Sequence, residues 1–453
     1  MTSTRTTFTH VRADFPDGFV FGAATAAFQI EGGASDRGPS HWDDFCATPG
    51  NVRHGHDGRV ACDHYNRWEG DLDLLRDAGF DAYRFSIAWP RVLPEGAGAA
   101  SEEGVGFYDR LVDGMLERGL QPFATLYHWD LPSALADRGG WRSRDTAERF
   151  ADYAALVARR LGDRLHSTAT LNEPWCAAFL SHFLGVHAPG LRDVRATAHA
   201  MHHLPLAHGL AVRAMRAEGL GNLGVVTNHE VCAGASDGDG DASAARLWDG
   251  IINRWFWGGF HRGQYPNDVL EGFAGHMPGG FENDMAIVSE PTDWHGVNYY
   301  TRNRFRRVKG LWPHLELVPP GEGVERTGLN WEVHPEGLAE VLERTASYTG
   351  DKPLYVTENG AAYPDPEPAA GTVADEHRLS YYERHLGAAR EAIRRGVPLR
   401  GYFAWSLLDN FEWAEGYGER FGLVRVNYET QERTPKRSYR AFQAMLGGTA
   451  AGT

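Results

Sequence analysis

Ser-Thr-Ala-Thr-Leu-Asn-Glu-Pro, residues 167–174, is the stretch whose reading decides the fold. Ser167–Leu171 is a short β-branched and apolar run of the kind that forms a buried strand. Pro174 then forbids its continuation as a central strand. Asn172 and Glu173 are therefore left at a strand end. Leu-Tyr-Val-Thr-Glu-Asn-Gly (354–360) repeats the arrangement: a run at Leu354–Thr357, then Glu358, then a turn-forming Asn-Gly. A carboxyl at the end of each of two strands points to paired-carboxyl chemistry, with one acid and one nucleophile or base.

Working outward, six more strand-like runs appear, at Phe19–Ala24, Ala82–Ile87, Pro122–Tyr127, Leu223–Asn228, Asp293–Tyr299 and Leu399–Trp405. Helical patterns alternate with them, clearest at His64–Ala78, Glu103–Glu117, Arg144–Leu161, Ala196–Ala217, Pro335–Ser347 and Glu376–Arg394. Gly79, Gly119, Gly219 and Gly396 stand just past helix ends, where a left-handed residue is wanted. Repeated strand–helix units of this number favour a closed α/β barrel, a (β/α)8 TIM barrel, over an open doubly wound sheet. The longer connections fall at residues 31–63, 173–193, 257–292 and 301–333 and are expected at one working face. No linker interrupts the chain. A single domain over 1–453 is expected, with its core at about 18–446.

In such a barrel chemistry gathers at the C-terminal strand ends. Those ends are unusually polar and aromatic here. Gln29 follows the first run and Arg84 lies in the second. His128 and Trp129 close the third, and Asn298, Tyr299 and Tyr300 the sixth. Trp405 closes the eighth, with Glu412 and Trp413 beyond it.

Composition narrows the partners. The chain has 453 residues, 42% hydrophobic and 23% charged, as a globular protein should. Its net charge of −15, without a basic patch, excludes a nucleic-acid partner. The 14 tryptophans serve either as core filler or as flat platforms for a ring-shaped ligand. Cys46, Cys62, Cys176 and Cys232 show no C-x-x-C spacing, which favours a reduced compartment. No apolar signal segment opens the sequence and no long apolar run follows, so a cytoplasmic protein with no membrane partner is expected.

Three other patterns fail their physical requirements. Gly219-Leu-Gly-Asn-Leu-Gly224 matches a dinucleotide fingerprint but follows a helix and precedes a strand, the reverse of what that site needs. Asp237-Gly-Asp-Gly-Asp241 opens like a calcium loop, yet Ala242 and Trp248 stand where Gly and Glu are required. His199, His202 and His203 lack further ligands at metal spacing.

Several segments together resemble glycoside hydrolase family 1, the β-glucosidase family. They are Phe-Gly-Ala-Ala-Thr-Ala-Ala-Phe-Gln-Ile-Glu-Gly (21–32), Tyr-Arg-Phe-Ser-Ile-Ala-Trp-Pro-Arg (83–91), Tyr-His-Trp-Asp (127–130), Thr-Leu-Asn-Glu-Pro (170–174), Asn-Tyr-Tyr (298–300), Thr-Glu-Asn-Gly (357–360) and Trp-Ser-Leu-Leu-Asp-Asn-Phe-Glu-Trp (405–413). The resemblance runs nearly end to end and implies the same barrel. It implies that Glu173 is the general acid/base and Glu358 the nucleophile, with Arg84, Asn298 and Tyr300 holding the nucleophile and its surroundings. It further implies that Gln29, His128, Trp129, Asn172, Glu412, Trp413 and Phe421 bind substrate, that Trp405 is the platform under the sugar ring, and that Trp331 stands at the mouth toward the leaving group.

The expected function is a retaining β-glycosidase, a β-glucosidase acting on small β-glycosides such as cello-oligosaccharides or aryl and alkyl glucosides. No cofactor is expected, because carboxyls supply both proton transfer and nucleophilic attack. An ionised Glu412 beside the sugar 6-position is expected to disfavour 6-phosphosugars. Alternatives are a transglycosylase, a β-galactosidase or β-fucosidase of the same family, and a carbohydrate-binding barrel without hydrolysis. Possession of both carboxyls argues against the last.

Overall fold

In the computed structural model, which describes residues 7–448, the eight runs form eight parallel strands that close on themselves. They are β1 (Val20–Ala24), β2 (Ala82–Ser86), β3 (Gln121–Tyr127), β4 (Ser167–Asn172), β5 (Leu223–Gly234), β6 (Trp294–Arg307), β7 (Leu354–Asn359) and β8 (Leu399–Trp405). Each pairs in parallel with the next, and β8 returns to β1 with Trp405 opposite Ala24. The expected (β/α)8 barrel is the architecture observed.

Strand interiors and helix faces explain the closure. Phe123, Phe403, Val20 and Ala82 meet inside the barrel. The outer helices turn one apolar stripe inward. In Arg144–Leu161 the buried positions include Ala147, Phe150, Tyr153, Ala154, Val157, Ala158 and Leu161, the three-and-four spacing of an amphipathic helix. The four helix-ending glycines all take positive φ. Among the described residues no helix is long and apolar enough to cross a membrane.

The structure departs from the sequence reading in β5 and β6, which run well past their expected ends at Asn228 and Tyr299. Val231–Gly234 pairs with Arg302–Phe305 beyond the barrel, and Leu315–Val318 adds an antiparallel strand to β6. The segment Arg302-Asn-Arg304 reads as loop because it is polar; backbone pairing with β5 holds it as strand.

The long connections differ in role. Segments 173–193 and 301–333 wall the main cavity. Segment 257–292 does not line it; helix Met285–Val288 packs instead against the outer helix Val194–Ala217. Segment 31–63 backs the cavity, with the Trp42 ring 4.6 Å from that of Trp413.

Candidate active site

A cavity of about 740 Å³ opens at the C-terminal ends of the strands. Ten of the fourteen residues given a site role from the sequence line it: His128, Trp129, Glu173, Tyr300, Trp331, Glu358, Trp405, Glu412, Trp413 and Phe421. The other four, Gln29, Arg84, Asn172 and Asn298, lie buried beneath and hold the lining residues in place.

Local backbone irregularities aim the key groups. The β4–β5, β6–β7 and β7–β8 registers shift at Asn172, at Asn298 and between Val356 and Asn359, the interval that holds Glu358, as bulges do where side chains are re-aimed. Trp129, Glu173 and Trp413 adopt φ of 77°, 48° and 50°, in the left-handed region. Such residues cost on the order of 1 kcal/mol or more and persist only when surroundings hold them. Glu173 N–H donates to Val226 O at 2.9 Å, and Trp129 Nε1–H donates to Asn172 O at 3.0 Å. Gly360 lets the end of β7 approach β8. A Cβ there would stand 1.8 Å from the Trp405 carbonyl oxygen.

One hydrogen-bonded chain joins the two glutamates. Arg84 Nη1 donates to Glu358 Oε1 at 2.6 Å, and Nη2 donates to Asn172 Oδ1 at 2.7 Å. Asn298 Nδ2 donates to Asn172 Oδ1 at 3.0 Å and to Glu173 Oε1 at 2.8 Å. Its orientation is fixed from behind, because Thr357 Oγ1 donates to Asn298 Oδ1 at 2.7 Å. Asn298 also stands opposite Glu358 in the pairing of β6 with β7. Tyr300 donates its hydroxyl to the other Glu358 oxygen at 2.7 Å.

Burial and charge separate the carboxyls. Glu173 is pushed up to about 8, by burial first and then by the negative Glu358. Its own donors, Asn298 and the Cys176 thiol, are neutral. Burial also raises Glu358, but Arg84 and Tyr300 oppose it. Glu358 alone of the two touches a cation, so it is the more acidic member. Glu412 differs from the sequence expectation. Burial first, then the negative charge of Glu358, push it up to about 8. It is therefore protonated at neutral pH, and repulsion by an ionised Glu412 is not what disfavours a 6-phosphate. The lining holds no Lys or Arg among the described residues, so a phosphate there would find no countercharge.

The glycone floor carries unsatisfied polar atoms. Gln29 Nε2 donates to Asn410 Oδ1, Phe411 O and Glu412 Oε2 at 3.0, 2.9 and 3.3 Å, while its Oε1 is buried without a partner. His128 has Nε2 at 3.0 Å from Asn172 Nδ2 and an unpartnered buried Nδ1. Burial lowers its pKa far below the usual value, so the ring is neutral. The His128 and Trp405 rings lie nearly parallel, 5.7 Å apart. Tyr300, Trp331 and Phe421 form an aromatic cluster on the other side. Buried acceptors with nothing bonded to them beside flat rings suit a polyhydroxylated ring.

The sequence reading missed the outer half of the cavity. Trp175, Phe179, Phe183, Glu230, Trp248 and Asn303 line it. The apolar helical spacing of Trp175, Phe179 and Phe183 was a usable signal; the segment folds as the π-helical turn Cys176–Leu184. Nothing local marks Glu230, whose partners Trp248 and Asn303 come from distant segments. The histidines set aside as a metal site have other duties: His202 bonds Asp284 and Tyr265, and His203 bonds Trp141 O. Among the described residues no group of three or more His, Cys, Asp or Glu side chains is placed to share a metal.

The sequence profile of glycosyl hydrolase family 1 matches residues 11–449. A β-glucosidase of Agrobacterium sp. is 48% identical over 445 residues, covering 97% of each chain. A bifunctional β-D-glucosidase/β-D-fucosidase of Bifidobacterium breve is 44% identical, over 96% of this chain and 99% of its own. Among solved structures, a family 1 β-glucosidase from Thermotoga maritima superposes with a TM-score of 0.93 at 42% identity, covering 97% of this chain and 99% of that one. The Thermotoga fold has also been solved with isofagomine lactam, with a TM-score of 0.92.

Proposed function

The chain belongs to glycosyl hydrolase family 1, and we infer from that membership and from its paired carboxyls that it is a β-glucosidase working by double displacement with retention. The observation that carries the mechanism is Asn298, which stands opposite Glu358 in the β6–β7 pairing and donates its amide to Glu173. Such closeness supports the roughly 5–5.5 Å separation of retaining pairs over the roughly 6.5–9.5 Å of inverting ones.

Glu358 is the nucleophile. Arg84 and Tyr300 keep negative charge on its oxygens, one of which bonds to the anomeric carbon as the glycosidic bond breaks. Glu173 is the acid. Held neutral up to about pH 8, it gives its proton to the leaving oxygen. Esterification then removes the charge of Glu358. Glu173, relieved of that repulsion, accepts a proton from water, whose oxygen attacks the anomeric carbon and frees Glu358. Both carboxyls thus regain their starting protonation.

Binding follows from the floor. Gln29 Oε1 and the free His128 nitrogen meet sugar hydroxyls, Glu412 both donates and accepts while protonated, and Trp405 lies under the ring. Asn172 has both amide ends engaged, its oxygen by Arg84 and Asn298 and its nitrogen beside His128. A sugar hydroxyl that meets Asn172 therefore joins that network as a further branch. The absence of Lys or Arg in the described lining favours an unphosphorylated sugar.

The glycone is glucose, with fucose as a second substrate suggested by the Bifidobacterium relative. The test is colour release from nitrophenyl β-D-glucoside, β-D-fucoside and β-D-galactoside. The expected order places the glucoside first or level with the fucoside. No nitrophenol from any of them contradicts the assignment.

A further inference from the structure

The outer chamber has a chemistry of its own. The acid Glu173 protonates the leaving oxygen, so the leaving group departs past Glu173 and its neighbour Cys176, whose thiol donates to Glu173 Oε2 at 3.4 Å. The wall reached there is aromatic. Trp175 and Phe179 stack with centroids 5.6 Å apart, Phe179 and Phe183 stack at 4.5 Å, and Trp248 meets Trp175 and Phe179 edge-on at 5.7 and 5.5 Å. Leu184 and Leu317, 39% and 56% exposed, carry the apolar surface to the mouth. A leaving group made of sugar would set many hydroxyls against this wall without partners. A flat apolar body fits it.

Within this wall stands one carboxyl, Glu230, 7% exposed and part of the cavity lining. Trp248 Nε1–H and Asn303 Nδ2–H each bond one of its oxygens. Both donors are neutral, and each carboxyl oxygen keeps a further acceptor site. No cation bonds it. Asp249, the acid whose charge acts on it, is held by Arg254 at 2.9 Å and Arg344 at 2.7 Å, which occupies those guanidinium groups. Beside it Asn228 Oδ1 is also buried without a partner. Burial pushes Glu230 up to about 7, as expected of a carboxyl with only neutral donors. The polar atoms on this wall are short of donors.

We propose that the leaving-group subsite selects an apolar, ring-sized aglycone carrying a hydrogen-bond donor away from the glycosidic oxygen, with Glu230 as the specificity-determining residue. The inference rests on the glycosidase reading above and refines it, narrowing the leaving group to aryl glycosides that bear a hydroxyl or ammonium group. Glu230 takes no part in bond breaking; it accepts a hydrogen bond from the aglycone, charge-assisted when the donor is an ammonium.

The test compares kcat/KM for the β-D-glucosides of 4-ethylphenol, 4-(2-hydroxyethyl)phenol and 4-(2-aminoethyl)phenol, matched in size and with closely similar leaving oxygens. The protein is used as wild type, Glu230→Gln and Glu230→Met. Wild type is expected to favour the hydroxyl and ammonium substrates over the ethyl one by about fivefold and tenfold or more. Glu230→Gln keeps an acceptor without charge, so it retains the hydroxyl preference and loses the ammonium preference. Glu230→Met loses both. A purely structural role would lower all three substrates together and leave their ratios unchanged, and that result, or equal wild-type turnover of all three, overturns the inference alone. Failure of wild type to release glucose from any of them overturns the glycosidase reading and the inference with it.

Discussion

Replacing Glu358 by Gln removes a negative charge while keeping the shape of the site, and its sharpest consequence falls on the other glutamate. Glu173 is held at about 8 by burial and by the charge of Glu358. Two unit charges about 5 Å apart, at an effective dielectric constant of about 20, interact by roughly 3 kcal/mol. That moves a titration by about two pH units. In Glu358→Gln, Glu173 should therefore titrate at about 6; burial, its larger cause, stays in place and is opposed in part by the hydrogen bonds from Asn298 and Cys176. The same fall is what the glycosyl-enzyme needs, since esterification neutralises Glu358 in the same way. Carbon-13 NMR of protein labelled at the glutamate carboxyl reads it directly, with Glu173→Gln identifying the resonance. In wild type the Glu173 signal should titrate near 8, and loss of the acid form should lower kcat/KM above that pH. A Glu173 signal that stays near 8 in Glu358→Gln would refute the electrostatic coupling on which the acid-to-base switch depends.

Three further outcomes follow from the same geometry. Glu412→Ser leaves Gln29 bonded to Asn410 and Phe411 but strips a partner from the sugar hydroxyls. It should lower kcat/KM for nitrophenyl β-D-glucoside by about 1–3 kcal/mol, roughly five- to 150-fold; unchanged turnover would remove Glu412 from the glycone site. Glu412→Gln reports its protonation. A carboxyl raised to about 8 stabilises the fold fully below its unfolded value of 4.5 and loses that contribution as pH rises through 8. Wild type should therefore lose stability relative to Glu412→Gln by on the order of 1 kcal/mol per pH unit between about 5 and 8, measured by urea unfolding. A pH-independent difference contradicts the protonated state. Gly360→Ala would drive a Cβ to 1.8 Å from the Trp405 carbonyl oxygen, forcing apart the strand ends that carry Glu358 and Trp405. It should cost about 1–3 kcal/mol of stability and most of the activity; a fully active, equally stable variant would show that this approach is not needed.

Much of the barrel was legible because its strands announce themselves twice, by apolar runs such as Leu399–Trp405 and by the glycines that end the preceding helices, as Gly396 does. Local sequence suffices there because strand interiors are buried on both faces. It fails where pairing is remote. Arg302, Asn303 and Arg304 look like loop and become strand only through β5. The two glutamates and the aromatic rim stand at strand ends, where chain position alone places them, and Arg84 stands within β2. The state of Glu412 could not be read, since its titration depends on a carboxyl brought in from another strand. Nor could the bonds by which Gln29 and Asn172, beneath the floor, also hold Glu412 and Arg84, since no spacing encodes them. Glu230 was invisible for the same reason. A lone acid in Thr-Asn-His-Glu-Val (227–231) carries no sign that a tryptophan and an asparagine from other segments will bury it.

The central claim is that Glu358 forms the covalent bond to the sugar while Glu173 moves the proton. Glu358→Gly with azide added tests it most directly, by the rate of sugar release and by the anomeric configuration of the azide product. The variant should be inert in plain buffer, regain turnover with azide, and yield α-glucosyl azide, inverted because azide attacks from the side that Glu358 vacated. Full activity without azide, or a β-glucosyl azide product, would place the nucleophile elsewhere.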